Sequence, residues 1–214
     1  MINVYNSTTN SWVYTETAIG LLYFDGHNTS GVAISDDGYV YVSGGGRIYS
    51  FEATHYKVYK SDYPIDHASF TLAGFTDISP SSTGITQGRG YKSLVVDSAG
   101  VLHLMTAHVN SLVLRNYNGT SWTTSVSVFD LTGIASPANA LYYDTMVLGK
   151  EASGQKSLHV SMVYSDDAVD TSNSFATAGL KLLYVKYVMQ ADRTYKAYKA
   201  GGTEIVTLPV THST

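Results

Sequence analysis

Three polar side chains fall within four residues in Asp25-Gly26-His27-Asn28. An imidazole in such company can give or take a proton near neutral pH; the same trio can also do no more than tie a chain segment together with hydrogen bonds. Two arginines sit in glycine-rich stretches, Arg47 at the end of Ser43-Gly44-Gly45-Gly46-Arg47 and Arg89 in Gly88-Arg89-Gly90-Tyr91. A planar guanidinium suits a carboxylate or a sulfate, which it can grip with two parallel hydrogen bonds. Tyr91, beside Arg89, and His55 add two further groups able to move a proton or to contact a sugar. The chain has no cysteine, so thiolate sites are excluded, and no His/Asp/Glu grouping has metal-ligand spacing. Neither metal nor cofactor is expected.

The segments around these residues alternate as strands do. The run from Val32 to Val42 is apolar at every second position, with a turn at Ser35-Asp36-Asp37-Gly38, and it returns as Leu94 to Leu104 around Asp97-Ser98-Ala99-Gly100. Alternation with a turn glycine at one fixed place marks a repeated antiparallel hairpin. Third strands follow, His55–Asp62 and Ser111–Asn118. A looser third copy reads Ala140–Gly149, then Ser157–Ser165, then Leu180–Val188, with a longer polar loop in its hairpin. Tyr117–Val128 matches Tyr5–Thr17 (Tyr-Asn, a Ser/Thr turn, Ser-Trp, a Thr-rich strand), so the first residues read as the last two strands of a preceding unit. The expectation is an all-β chain, a single domain over residues 1–214 or a piece of a larger one. It reads as two strands plus about three four-stranded antiparallel units, a β-propeller or propeller fragment; the alternative is a β-sandwich. Recurrence places His103 and His159 as packing or unit-to-unit hydrogen-bonding residues, and Trp12 and Trp122 as core.

Composition narrows the partners. Charged residues make up 14% of the chain against ~25% in typical soluble domains, and 18 tyrosines with many Ser, Thr, Asn and Gly carry the polarity instead. Net charge is −4, with no basic run, which argues against nucleic acid. No apolar stretch approaches the ~18 residues of a membrane span, and the first residues do not read as a signal peptide.

Asp25-Gly26-His27-Asn28, the turn at Asp37-Gly38, the run Tyr59-Lys60-Ser61 with Pro64 beyond it, and Tyr91 ahead of the second inner strand together resemble the BNR-repeat propellers of the ulvan-lyase type, over about residues 20–125. The resemblance implies a polysaccharide lyase that cleaves beside a uronic acid by β-elimination. A cationic or proton-donating group neutralises the carboxylate, a base removes the α-proton, and an acid protonates the leaving oxygen. By position His27 and Tyr91 would be catalytic, with Asp25, Asn28, Arg47, His55 and Arg89 binding substrate at the channel mouth. The set is incomplete: Ala107 stands where the family has an arginine, and no histidine ends the first hairpin.

The expected function is therefore a carbohydrate-binding propeller with partial lyase chemistry, taking an acidic polysaccharide or a cell-surface glycan. The alternatives are an active lyase and a structural domain of a virion tail, fibre or adhesin. An extracellular or virion-associated setting follows from these readings, as does a second copy completing the ring.

Overall fold

The computed structural model describes residues 2–6, 10–15, 31–44, 57–80, 88–108, 111–123, 126–130, 141–165, 180–192, 194–205 and 208–211. Every regular element among them is a β-strand. β1 (Ile2–Asn6) and β2 (Ser11–Thr15) pair as an antiparallel hairpin. The first large sheet runs β3 (Gly31–Ile34), β4 (Val40–Gly44), β5 (Lys57–Ser61), β6 (Phe75–Asp77). The middle sheet runs β7 (Gly88–Val96), β8 (Leu102–His108), β9 (Ser111–Tyr117), β10 (Val126–Asp130). The third runs β11 (Leu141–Lys150), β12 (Lys156–Ser165), β13 (Leu180–Met189), β14 (Tyr195–Tyr198), β15 (Glu204–Ile205). β16 (Val210–Thr211) lies parallel on the outer edge of β10. Each large sheet is an antiparallel meander in chain order, so the repeated unit read from the sequence is present three times. β15 and β16 are additions to that pattern, and no sheet closes on itself among the described residues.

One turn serves four hairpins. Gly38, Gly100, Gly154 and Gly202 have φ of 84°, 74°, 86° and 84°. The N–H of each donates to the carbonyl three residues earlier, on Ser35, Asp97, Glu151 and Lys199 at 2.8–2.9 Å. This is a type I turn closed by a glycine in the left-handed region. The third hairpin corrects the sequence reading. Its loop was expected to be longer, yet Glu151-Ala152-Ser153-Gly154 makes the same turn, and the neighbouring polar residues Lys150 and Lys156 belong to the strands. At Gly100 a Cβ would meet nothing within 4 Å, whereas at Gly38 it would lie 3.1 Å from Pro64 Cβ. Gly100→Ala is thus expected to cost only the backbone strain, about 1–2 kcal/mol. Gly38→Ala should cost more, a difference that parallel urea titrations will read.

The three sheets stack face to face. Between the first and middle sheets, Tyr41 and Val58 pack against Leu94, Leu102, Leu104 and Tyr117. Between the middle and third sheets, Met105, Leu112, Leu114 and Phe129 meet Met146, Leu158, Val160, Met162, Val185 and Tyr187. Alternation assigns the faces of β8: Leu102 and Leu104 point to one neighbour, His103 and Met105 to the other, and all four are buried. The starting strands of the sheets also lie side by side, β3 next to β7 and β7 next to β11. Gly31 lets Leu94 come close, since a Cβ there would sit 3.2 Å from Leu94 Cγ. Ser93 Oγ accepts the Met146 N–H at 3.3 Å. The expected adjacency of Gly31–Ser35 and Lys92–Asp97 is observed, and among the described residues β3–β6, β7–β10 and β11–β15 each pair in chain order. Trp122 has the core role expected of it: its ring centroid lies 5.2 Å from that of Tyr117, and its Nε1–H donates to the Ile78 carbonyl at 2.6 Å, joining the middle sheet to the first.

Candidate functional site

Asp25, His27, Asn28, Arg47 and His55 lie outside the described residues. Arg89 and Tyr91 lie on β7, where the structure gives the path of the backbone. That path is irregular. Gly88 pairs with His108 and Lys92 with Thr106, so Arg89, Gly90 and Tyr91 together oppose Ala107 alone. Bulges of this kind break the ladder, increase the local twist and cluster near functional sites. The neighbouring starting strand behaves alike. On β11 Tyr142 pairs with Val163 and Asp144 with Met162, leaving Tyr143 as an extra residue. Both irregularities fall near the beginning of the strand, at the end remote from the turns at Gly100 and Gly154. One end of the stack therefore gathers Arg89, Tyr91 and the Tyr142–Asp144 segment by backbone placement. It also puts Arg89 across from Ala107.

The tyrosines differ in what they can do. Burial pushes the Tyr187 hydroxyl far up, and burial, with lesser contributions from Asp37, Tyr117 and Tyr39, pushes Tyr41 up to about 12. Neither can serve as a base near neutral pH.

A second cluster, which the sequence reading touched only at His103, lies buried between the middle and third sheets. Asp97 opens the Gly100 turn, and its Oδ1 accepts the backbone N–H groups of Ala99 at 2.8 Å and Val101 at 3.1 Å. The same oxygen takes Lys156 Nζ at 3.0 Å, while Oδ2 meets His103 Nε2 at 3.3 Å. The other imidazole nitrogen, Nδ1, lies 2.8 Å from the Tyr195 hydroxyl, which also accepts from Asn116 Nδ2 at 3.0 Å. The distances form a chain in which Asn116 donates to Tyr195, the Tyr195 hydroxyl bonds His103 Nδ1, and His103 Nε2 bonds Asp97. Burial alone would raise the Asp97 carboxyl. Hydrogen bonds from His103 and Lys156 and from the Val101 and Ala99 backbone outweigh it and hold the group well below the usual carboxylate range.

An aspartate–histidine pair has the composition of an acid–base dyad. Here the side chains are 2% and 1% exposed, so no polymer reaches them, and the cluster is a polar lock between sheets. That is the unit-to-unit bonding expected of His103. The expected equivalence of His159 fails. Counted from the turn glycines, His103 matches Ser157, and His159 matches Met105 two residues further on. His159 lies on the far face of the third sheet, bonded to the Tyr184 hydroxyl at 2.6 Å. Nothing local in the sequence marks Tyr195 as a partner of His103, since 92 residues separate them. Arg115 was also missed: it is 6% exposed, and its Nε has no hydrogen-bond partner among the described residues.

Among the described residues no group of three metal-ligating side chains is assembled, and no helix is long and apolar enough to cross a membrane. No protein-family model matches the chain, and a search of curated proteins finds no match.

Proposed function

We propose that this chain is a carbohydrate-binding domain of propeller type, whose site lies at the end of the stack where β7 and β11 begin and which takes an acidic, uronic-acid-containing polymer. The observation that carries this reading is the bulge of Arg89, Gly90 and Tyr91 opposite Ala107. Its backbone sets Arg89 and Tyr91 beside Ala107, which supports reading Arg89 as the carboxylate partner and Tyr91 as the acid–base group that the ulvan-lyase resemblance implies. The side-by-side order β3, β7, β11 supports the radial part of the reading, since inner strands of a propeller are neighbours around a channel. Asp25, His27 and Asn28 precede β3 in the chain, and this reading puts them at the same end, with Arg47 and His55 as further contacts.

The bulge also favours the lyase alternative more than the residue set alone does, because Arg89 can stand in for the arginine replaced by Ala107. One preorganised cationic or hydrogen-bonding group at a developing oxyanion is worth about 2.7–4 kcal/mol, or ~100- to 1,000-fold in rate. Calorimetric titration with polyuronate oligosaccharides, alongside ultraviolet assay for the unsaturated elimination product, tests both readings. Arg89→Ala is expected to weaken binding at least tenfold, with Arg89→Lys in between because a lysine cannot make the bidentate contact. Product formed by the unaltered chain and lost in Tyr91→Phe establishes the lyase. Undiminished binding in Arg89→Ala removes the proposed site.

A further inference from the structure

The layer between the first and middle sheets contains a buried cation with no counter-charge among the described residues. Arg115 pairs with Leu104 across β9 and β8, and Leu104 and Tyr117, on the same face, both pack in this layer. The Arg115 side chain is buried, its Nε has no hydrogen-bond partner, and its guanidinium makes no ion pair among the described residues. The carboxylates that do form ion pairs lie elsewhere. Asp97 meets His103 and Lys156 on the other side of the middle sheet, and Asp77 pairs with Lys57. Glu151 and Glu204 pair with Lys186 and Lys196 of the third sheet. A second cation, Lys60, shares the face of Tyr41 and rests on the ring of Tyr39 at 3.9 Å, which adds positive charge to the same layer.

A guanidinium cannot shed its proton. The escape open to a buried lysine or histidine, to become neutral, is closed to it. A buried charge left alone is strongly destabilising, so the layer calls for an anion. Two hydroxyls there also lack an acceptor. Thr106, buried, follows Leu104 by two residues on the same face of β8 and lies diagonally across the ladder from Arg115. Ser43, also buried, enters the layer from the first sheet. Its Oγ accepts the Gly31 N–H at 3.1 Å, and a Cβ on Gly31 would lie 2.8 Å from that oxygen and 3.2 Å from Leu94 Cγ. Leu94 pairs with Leu104, and Leu104 with Arg115, so one row of the ladder leads from Ser43 to the guanidinium. Neither hydroxyl donates to an acceptor among the described residues.

We propose that the layer between the first and middle sheets binds one small monovalent inorganic anion, of which chloride is the type, on the Arg115 guanidinium, with the Thr106 and Ser43 hydroxyls as further donors. Val58, Leu94, Leu104 and Tyr117 pack around this layer. They suit a bare, compact ion rather than a sugar or a phosphate ester. The site exists only once the two sheets have packed, so the anion binds the folded chain and joins the first sheet to the middle one. This is independent of the glycan reading.

Urea titrations of the full chain over a series of sodium chloride concentrations, with ionic strength held constant by sodium gluconate, test this. Gluconate is too large for the layer. The unfolding constant of the unaltered chain is expected to fall with chloride, approaching tenfold for each tenfold rise once the site fills. Sodium bromide should act alike, and bromide anomalous scattering in crystals should place the ion beside Arg115. Arg115→Leu removes the charge but keeps an apolar side chain, and should abolish the dependence. Arg115→Lys, which cannot present two parallel donors, should weaken it. An unaltered chain whose unfolding constant ignores chloride overturns the proposal, and that result requires no variant to fold. So does an Arg115→Leu chain that responds to chloride as the unaltered chain does, which would mean that the salt acts elsewhere.

Discussion

Replacing Asp97 with alanine should lower the unfolding free energy by about 3 kcal/mol, the low end of the ~3–5 kcal/mol typical when one partner of a buried ion pair is removed. Three losses coincide. Lys156 and His103 lose their acceptor, the Ala99 and Val101 N–H groups lose their cap, and the Gly100 turn loses the side chain that shapes it. Lys156 is 27% exposed and recovers some hydration, which is why the low end applies. His103 is 1% exposed and recovers none. The same residue sets an acid limit. Its carboxyl is held below the usual range in the folded chain. Its contribution is therefore fully present above the unfolded-state value of about 3.9, and it is lost as pH falls from there toward the folded value. Urea titrations at a series of pH values should show stability dropping in acid for the unaltered chain, with a flatter profile for Asp97→Asn.

The second large effect belongs to Tyr187. It is fully buried in the core between the middle and third sheets, its ring stands edge-on to Tyr195, and its hydroxyl donates to the Val128 carbonyl at 3.0 Å. Tyr187→Ala removes a whole aromatic ring from a packed core and is expected to cost about 3–5 kcal/mol. Tyr187→Phe keeps the ring and orphans one acceptor, for about 1 kcal/mol. Denaturant midpoints at unchanged slope separate the two effects. Equal losses in both variants would mean that the hydroxyl, rather than the ring, holds these sheets together.

The two effects also show what the sequence could reveal. The hairpins were legible because their information is local: alternation gives the strands, and a glycine at a fixed place gives the turn, as at Gly38 and Gly100. The third hairpin was misjudged because Glu151-Ala152-Ser153-Gly154 lacks the Asp residues that mark the other two turns, although its glycine does the same work. Register against that glycine, rather than likeness of the flanking letters, would have separated His103 from His159. The polar lock stayed hidden for a different reason. Its members come from the turn between β7 and β8 and from β8, β9, β12 and β14, and they meet only after two sheets pack, so no window of sequence contains it. The bulge at Arg89-Gly90-Tyr91 was half legible. The residues were singled out as site candidates, but their position opposite Ala107 depends on ladder register that alternation alone does not fix.

Amide hydrogen exchange, with and without a polyuronate oligosaccharide, tests the central claim most directly, because it reports where a glycan touches. Slowed exchange is expected over Gly88–Lys92 and the first residues of β11, with the turns at Gly38, Gly100 and Gly154 unchanged. Protection confined to those turns, or none anywhere at saturating oligosaccharide, would contradict it.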